Sequence, residues 1–435
     1  MANPSGSAES STRGARAPLR QTPYRILTAA CIGNALEWYD IVVYSYFASF
    51  IAKVFFPTHN PASSLLLALG TFAVSFLIRP VGAIVLGSYA DRAGRKPALS
   101  LSILLMVLGT FLITAMPSYE TIGIIAPCGI LLARLIQGFS AGGEFGSATA
   151  LMAEHLPHRR GYAASWQFTS QAAATLLAAS LGTFLTSVLT EDQMLSWGFR
   201  IPFAVGMLVG PVGYYIRRRV PEAPEFLAAG LDVGRKTPGR QVLREHKGRV
   251  LLTIGVLAFT TSLNYLISYM PTYAIRSLHL PASTGFAATL VAATAVLLIT
   301  PLAGHWSDRF GQIRLMVPAA GLVLVLICPL FALLVAFPGL GTMLAVMFLL
   351  GVLKAPYSGP MGALLANLFP PNTRATGMAL GYNIGVAIFG GFTPLIAAWL
   401  TTSTGTDLAP SFWVIITAIV SLTCLTMIRK KIGLR

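Results

Sequence analysis

Two carboxylates, Glu37 and Asp40, stand within Gly33-Asn-Ala-Leu-Glu37-Trp-Tyr-Asp40, inside an otherwise apolar run, and three cations, Arg79, Arg134 and Lys354, stand in similar runs elsewhere. Burial disfavours the ionised form of a carboxyl group while a nearby guanidinium favours it. An acid poised between the two can exchange a proton as water and solute come and go. Arginine grips a planar carboxylate with two parallel hydrogen bonds, and lysine offers a compact point charge. The chemistry these residues could do together is proton exchange coupled to capture of an organic anion, which would close the surplus of three positive charges over two negative ones. Nothing points to an enzyme: the six histidines fall away from these runs, the four cysteines (Cys31, Cys128, Cys328, Cys424) stand singly, and no nucleophile–base pair or metal-ligand spacing occurs. No cofactor and no metal are expected.

The elements that must hold these charges are membrane helices. Mean hydropathy is +0.70 and only 11% of residues are charged, against about 25% in a soluble domain. Apolar segments long enough to cross about 30 Å of hydrocarbon as helices are predicted at 26–51, 63–89, 97–116, 122–150, 162–188, 199–216, 250–275, 284–305, 313–335, 342–366, 377–402 and 411–429. They lack the alternation of a membrane strand, which excludes a barrel. The formal charge of +16 reflects basic runs in alternate connections, a topology signal that places both termini in the cytoplasm and gives no support for nucleic-acid binding. The expected organisation is a disordered cytoplasmic tail (1–25), a six-helix bundle (26–216), a central cytoplasmic loop (217–249), a second six-helix bundle (250–429) and a short tail (430–435).

At 1.5 Å per residue, Arg134 and Lys354 lie about 18 Å into their spans, Glu37 about 17 Å and Arg79 about 15 Å. All four therefore sit near the bilayer midplane, where an ionised side chain costs at least ~2.5–3.5 kcal/mol unless it meets a polar cavity or a partner. Asn34, Glu37, Asp40 and Tyr44 share one face of the first span. Arg134 and Gln137 align at i, i+3, as do Gln167, Ser170 and Gln171 on the fifth span. Asn264 with Tyr265 marks the seventh. On the tenth, Lys354, Tyr357 and Ser358 lie in a stretch interrupted by Pro356, Gly359 and Pro360. These faces predict one central cavity with cations from both halves, in which Glu37 and Asp40 couple protons, Glu37 foremost by its depth. The alternative is that both carboxylates merely neutralise Arg79 and Arg134 as buried pairs, which leaves Lys354 alone.

The loop Gly87-Ser-Tyr-Ala-Asp91-Arg92-Ala-Gly94-Arg95-Lys96 recurs after the eighth span as Gly304-His-Trp-Ser-Asp308-Arg309-Phe-Gly311-Gln312, which argues for a duplicated bundle. This loop and the six-plus-six plan resemble the major facilitator superfamily. Within it, Gly33 to Asp40, Arg79-Pro-Val-Gly82, Arg134-Leu-Ile-Gln137-Gly138 and Gly142-Gly-Glu144 resemble the metabolite:proton symporters, whose members carry citrate, other di- and tricarboxylates, shikimate, proline or betaine. Ser165-Trp-Gln167, Tyr269-Met-Pro271-Thr-Tyr273 and Tyr357-Ser-Gly-Pro360 look most like the citrate and tricarballylate carriers. The resemblance implies an all-α fold of twelve transmembrane helices in two bundles. It also implies gating by Gly87, Asp91, Arg92, Gly94, Arg95, Asp308 and Arg309, with Asp91 meeting a helix amino end; Glu144, near the end of the fourth span beside Gly142 and Gly146, is expected to serve a gate or packing role rather than coupling. The chain departs from the pattern at Gln312, where Arg is usual, and at Asn367, where Glu is usual. The function expected is import of a small organic anion, a citrate-like di- or tricarboxylate, with protons by alternating access, by a monomer in the bacterial inner membrane. A proline/betaine symporter or a drug exporter of the same fold is the alternative.

Overall fold

The computed structural model describes residues 23–433 except 94, 143–148, 150, 151, 154, 155, 219–241, 243, 371 and 372. Most of the expected amino-terminal tail and central loop falls outside these residues. All regular structure among the described residues is helical, and the helices follow the predicted spans. Eight are long and apolar enough by themselves to cross a bilayer. Large apolar side chains such as Leu67, Ile84, Leu208, Val325 and Phe348 point outward, a surface suited to lipid. Arg79, Arg134 and Lys354 are buried. The fold is that of an all-α integral membrane protein of twelve spans in two six-helix bundles.

Several spans are interrupted where the sequence removes a helical hydrogen bond or adds strain. The first runs through Pro23–Tyr46 and Ala48–Phe55, and helical hydrogen bonds carry it past Phe47 (Phe47 N to Val43 O, 3.1 Å; Ile51 N to Phe47 O, 2.9 Å). The second starts at Asn60, whose side chain accepts from the Ala62 amide at 2.9 Å. It then splits into Pro61–Leu77 and Arg79–Ala93 beside Pro80, which cannot donate to the carbonyl of Phe76. The fourth was expected from 122, but its helix is Ile125–Ser140, because Gly123 at φ +59° ends a short turn before it. The eleventh comprises Arg374–Val386 and Thr393–Thr404 joined by a π-helical turn, Ala387–Gly391, ahead of Pro394. The remaining spans are Arg95–Ala115, Arg160–Val188, Arg200–Arg218, Lys247–Arg276, Ala282–Phe310, Gln312–Ala336, Leu340–Leu368 and Ala409–Lys431.

Small residues let the two halves touch closely. A Cβ on Gly304 of the eighth span would come 2.7 Å from the Gly161 carbonyl oxygen of the fifth, and one on Gly182 of the fifth would meet the Phe286 ring of the eighth at 2.3 Å. These two spans therefore meet at both ends of the membrane. The first and seventh meet where Ser45 and Ser268 share a 3.1 Å hydrogen bond. The eleventh reaches the second and fourth, with Phe76 against Gly391 and Asn383 Nδ2 donating to the Gly142 carbonyl at 2.7 Å.

Candidate functional site

Asp40 sits on the first span against Gly206 of the sixth, where a Cβ would come 2.4 Å from its Oδ1. It is 7% exposed, and its Oδ1 has no hydrogen-bond partner. Its Oδ2 accepts from the Thr110 hydroxyl of the third span at 3.2 Å. Thr110 in turn accepts from Gln137 Nε2 at 2.9 Å, Gln137 Oε1 accepts from Arg134 Nη1 at 2.8 Å, and Arg134 Nη2 donates to Ser75 Oγ at 3.2 Å. A continuous chain of hydrogen bonds thus links the carboxylate to the guanidinium through two neutral side chains. Arg134 and Lys354 have neutral hydrogen-bond partners, Gln137 with Ser75 and Asn264 respectively, whereas the exposed Lys53 pairs with Glu191 at 2.5 Å. Asp40 therefore reaches Arg134 through Thr110 and Gln137 rather than as the direct buried pair weighed as an alternative from sequence.

Glu37, Asp40, Ser75, Arg79, Arg134 and Gln137 line one cavity with Ile41, Met106, Gly138 and Ala141, with room for about one water. Aromatic rings close around it. Arg134 lies 4.5 Å over the Tyr44 ring and 5.0 Å from that of Phe72, and Arg79 lies 4.2 Å over Phe76. Tyr265 of the seventh span packs on Phe76 (5.5 Å), Trp38 (5.6 Å) and Phe72 (6.0 Å). Tyr382 of the eleventh adjoins Arg79, Glu37 and Gln171. Five buried donors in this region have no acceptor: Trp38 Nε1, Arg79 Nε, Arg134 Nε, Gln171 Nε2 and the Tyr265 hydroxyl. Two buried acceptors there, Asp40 Oδ1 and Gln167 Oε1, are unpartnered as well, and the excess of donors over acceptors is suited to a ligand that brings oxygen acceptors and negative charge.

Residues 26–249 match the family model described as "Sugar (and other) transporter", and residues 281–432 match "Major Facilitator Superfamily". The chain is 37% identical to a citrate-proton symporter of Klebsiella pneumoniae over 93% of its own length and 91% of that protein. The chain belongs to the major facilitator superfamily. A proline/betaine transporter of Salmonella typhimurium is 34% identical over 92% of this chain and 82% of that one. In fold, the partially occluded inward-open xylose transporter XylE of E. coli superposes with a TM-score of 0.74 at 17% identity, covering 94% of this chain and 98% of that one. Membership makes this facilitator a membrane transporter rather than an enzyme.

The predicted site residues divide into groups in this facilitator. Glu37, Asp40, Arg79, Arg134 and Gln137 come together at the cavity, with Tyr265 and Gln171 beside it. Gln167 instead clasps Asn34, donating to its Oδ1 at 2.7 Å while Asn34 Nδ2 donates to the Gln167 carbonyl at 2.8 Å and to Ser170 Oγ at 2.7 Å. Lys354 donates to Asn264 Oδ1, and no described contact joins it to the Arg134 group. Tyr357 and Ser358 are used within the second half: the Tyr357 hydroxyl donates to the Val256 carbonyl at 2.7 Å, and Ser358 bonds Thr260 at 3.0 Å. Thr110, Trp38, Ser75, Phe76 and Tyr382 were not foreseen. Thr110 and Phe76 gave no signal by type, whereas Trp38 sits inside the motif already singled out.

Of the gating loops, the second copy is described. Asp308 accepts from the backbone amides of Gly161 and Tyr162 at 2.7 and 3.0 Å, so it caps the start of the fifth span from the opposite half of the facilitator. Arg309 beside it is exposed. The two departures from the family pattern meet each other, with Asn367 Nδ2 donating to Gln312 Oε1 at 3.4 Å. Gly94 and Glu144 lie outside the described residues. For Gly87, Asp91, Arg92 and Arg95 the backbone is helical.

Proposed function

We propose that the protein imports a di- or tricarboxylate together with protons, by alternating access about the Arg79–Arg134 cavity. The observation that carries this reading is the set of five buried donors without acceptors around the Arg79–Arg134 cavity. A citrate-like anion supplies the missing acceptors and charge. Asp40 and Glu37 are the proton-coupling carboxylates, and the hydrogen-bond chain to Arg134 favours Asp40 where depth alone favoured Glu37. Protonation of Asp40 removes the negative charge nearest Arg134 and leaves the guanidinium to the substrate. The other substrate-binding residues are Gln137, Gln171, Tyr265 and, from the second half, Lys354 with Asn264. Gln167, Tyr357 and Ser358 serve as scaffold. The basic loops support a reading in which the Asp308 end and both termini face the cytoplasm, and we take the monomer as the working unit in a bacterial inner membrane.

The proline/betaine relatives support a zwitterion as second reading. A quaternary ammonium needs free aromatic faces, however, and those of Phe76, Tyr44 and Phe72 already carry guanidiniums. Uptake into proteoliposomes by citrate, tricarballylate, succinate, proline and glycine betaine at two external pH values separates the readings. Expected are citrate-class uptake that quickens as the outside is acidified, since the proton is a co-substrate, and alkalinisation of a weakly buffered medium. Uptake of betaine but not citrate would replace the carboxylate reading, and uptake indifferent to a proton gradient would remove the symport.

A further inference from the structure

The Thr110 hydroxyl carries one hydrogen and faces two acceptors, Asp40 Oδ2 at 3.2 Å and the Met106 carbonyl, one turn back on its own helix, at 3.0 Å. Its oxygen also accepts from Gln137 Nε2 at 2.9 Å. The hydrogen cannot serve both acceptors at once, and the oxygen has two lone pairs, one of them already taken by Gln137. The arrangement therefore has two complete hydrogen-bonding states. With Asp40 ionised, Thr110 donates to Oδ2 and the Met106 carbonyl keeps only its helical partner. With Asp40 protonated on Oδ2, the new O–H donates to the free lone pair of Thr110, whose own hydrogen turns to Met106.

We propose that Thr110 is a positioning residue for proton coupling: its hydroxyl rotates between the Met106 carbonyl and Asp40, and so satisfies that carboxyl in both of its protonation states. One O–H bond forms on Asp40 when a proton arrives through the cavity, and the same bond breaks when it leaves. At Thr110 only hydrogen bonds are exchanged. Gln137 keeps its donation to Thr110 throughout, which holds its Oε1 on Arg134 while Asp40 changes charge. The charged and titratable groups facing Asp40 are Arg134 of the fourth span and Arg79 of the second, with Glu37 and Tyr39 on its own helix. The third span brings Thr110 and Met106, and the sixth brings Gly206, none of which titrates.

The inference rests on the proton-coupled carboxylate reading, and its test includes a readout that needs no substrate. In purified protein, the infrared C=O band of the protonated carboxyl, assigned by its loss in Asp40→Asn, moves to higher wavenumber in Thr110→Val and stays in place in Thr110→Ser. In proteoliposomes, the pH at which citrate uptake is half-maximal shifts upward by about one unit in Thr110→Val, the tenfold change that one hydrogen bond to an ionised group can carry. Thr110→Ser restores the wild-type profile. An Asp40 band unmoved by Thr110→Val overturns the proposal, as does a profile in which the Val and Ser variants behave alike. Failure of wild-type protein to move citrate would count against the carboxylate reading alone, and the infrared band would still decide the role of Thr110.

Discussion

Lys354 and Arg134 occupy similar depths yet have different surroundings. Arg134 spreads its charge over two hydrogen bonds and two aromatic rings, whereas Lys354 is 7% exposed and bonds the neutral oxygen of Asn264. A buried ammonium without an anion weakens the fold it sits in, so its presence calls for a functional account. Lys354→Met keeps most of the volume and removes the charge. Its melting midpoint in detergent is expected to equal or exceed that of the parent, while citrate uptake falls at least tenfold. A lowered midpoint with normal uptake would make Lys354 structural. The pairing of Arg134 with Gln137 was legible in the sequence because i, i+3 residues share a helix face. The roles of Thr110 and Trp38 were not, because their partners come from other spans and no pattern along one helix fixes how it is rotated against its neighbours.

The elements themselves were largely legible, because a run of apolar residues of span length has one stable form in lipid and prolines mark where it breaks. The contacts between elements were less so. Tyr357 and Ser358 share the Lys354 side of a helix, yet both bond the seventh span, which covers part of the face expected to line the cavity. The Asp308 cap on the fifth span joins the two halves at one end and must break for that end to open. Loss of a carboxylate cap costs about 0.5–2 kcal/mol. Asp308→Ala is therefore expected to raise the population open at that end by roughly two- to thirtyfold. In a background without the four native cysteines, Ser165→Cys, buried against Gly304, would report this as faster maleimide labelling. Unchanged labelling would mean that the packing of Gly304 against Gly161 and Ser165 holds that end without Asp308.

At the scale of the whole molecule, the described contacts between the halves lie at both ends, Gly304 on Gly161 and Phe286 on Gly182, and the Arg79–Arg134 cavity has room for about one water, so a citrate-sized ligand needs one of these ends to part. The end away from Asp308 is closed by Phe286, which packs on Phe47 at 5.1 Å and Tyr46 at 6.0 Å and lies over bare Gly182. A side chain at 182 cannot share that space with the Phe286 ring. Gly182→Leu should hold this end apart while leaving the Asp308 end undisturbed. Alternating access needs each end to close in turn, because a packed interface has discrete arrangements and does not deform gradually. Net uptake is expected to be lost with the protein still in the membrane. Labelling of Ser45→Cys, buried beside Ser268, should rise, while that of Ser165→Cys should fall. Gly70→Leu, at a second-span position with open space around it, controls for the added bulk and should transport as the parent does. Normal uptake by Gly182→Leu would show that the Phe286 closure is not a moving part of the cycle, and the search for the gate would pass to the Ser45–Ser268 contact beside it.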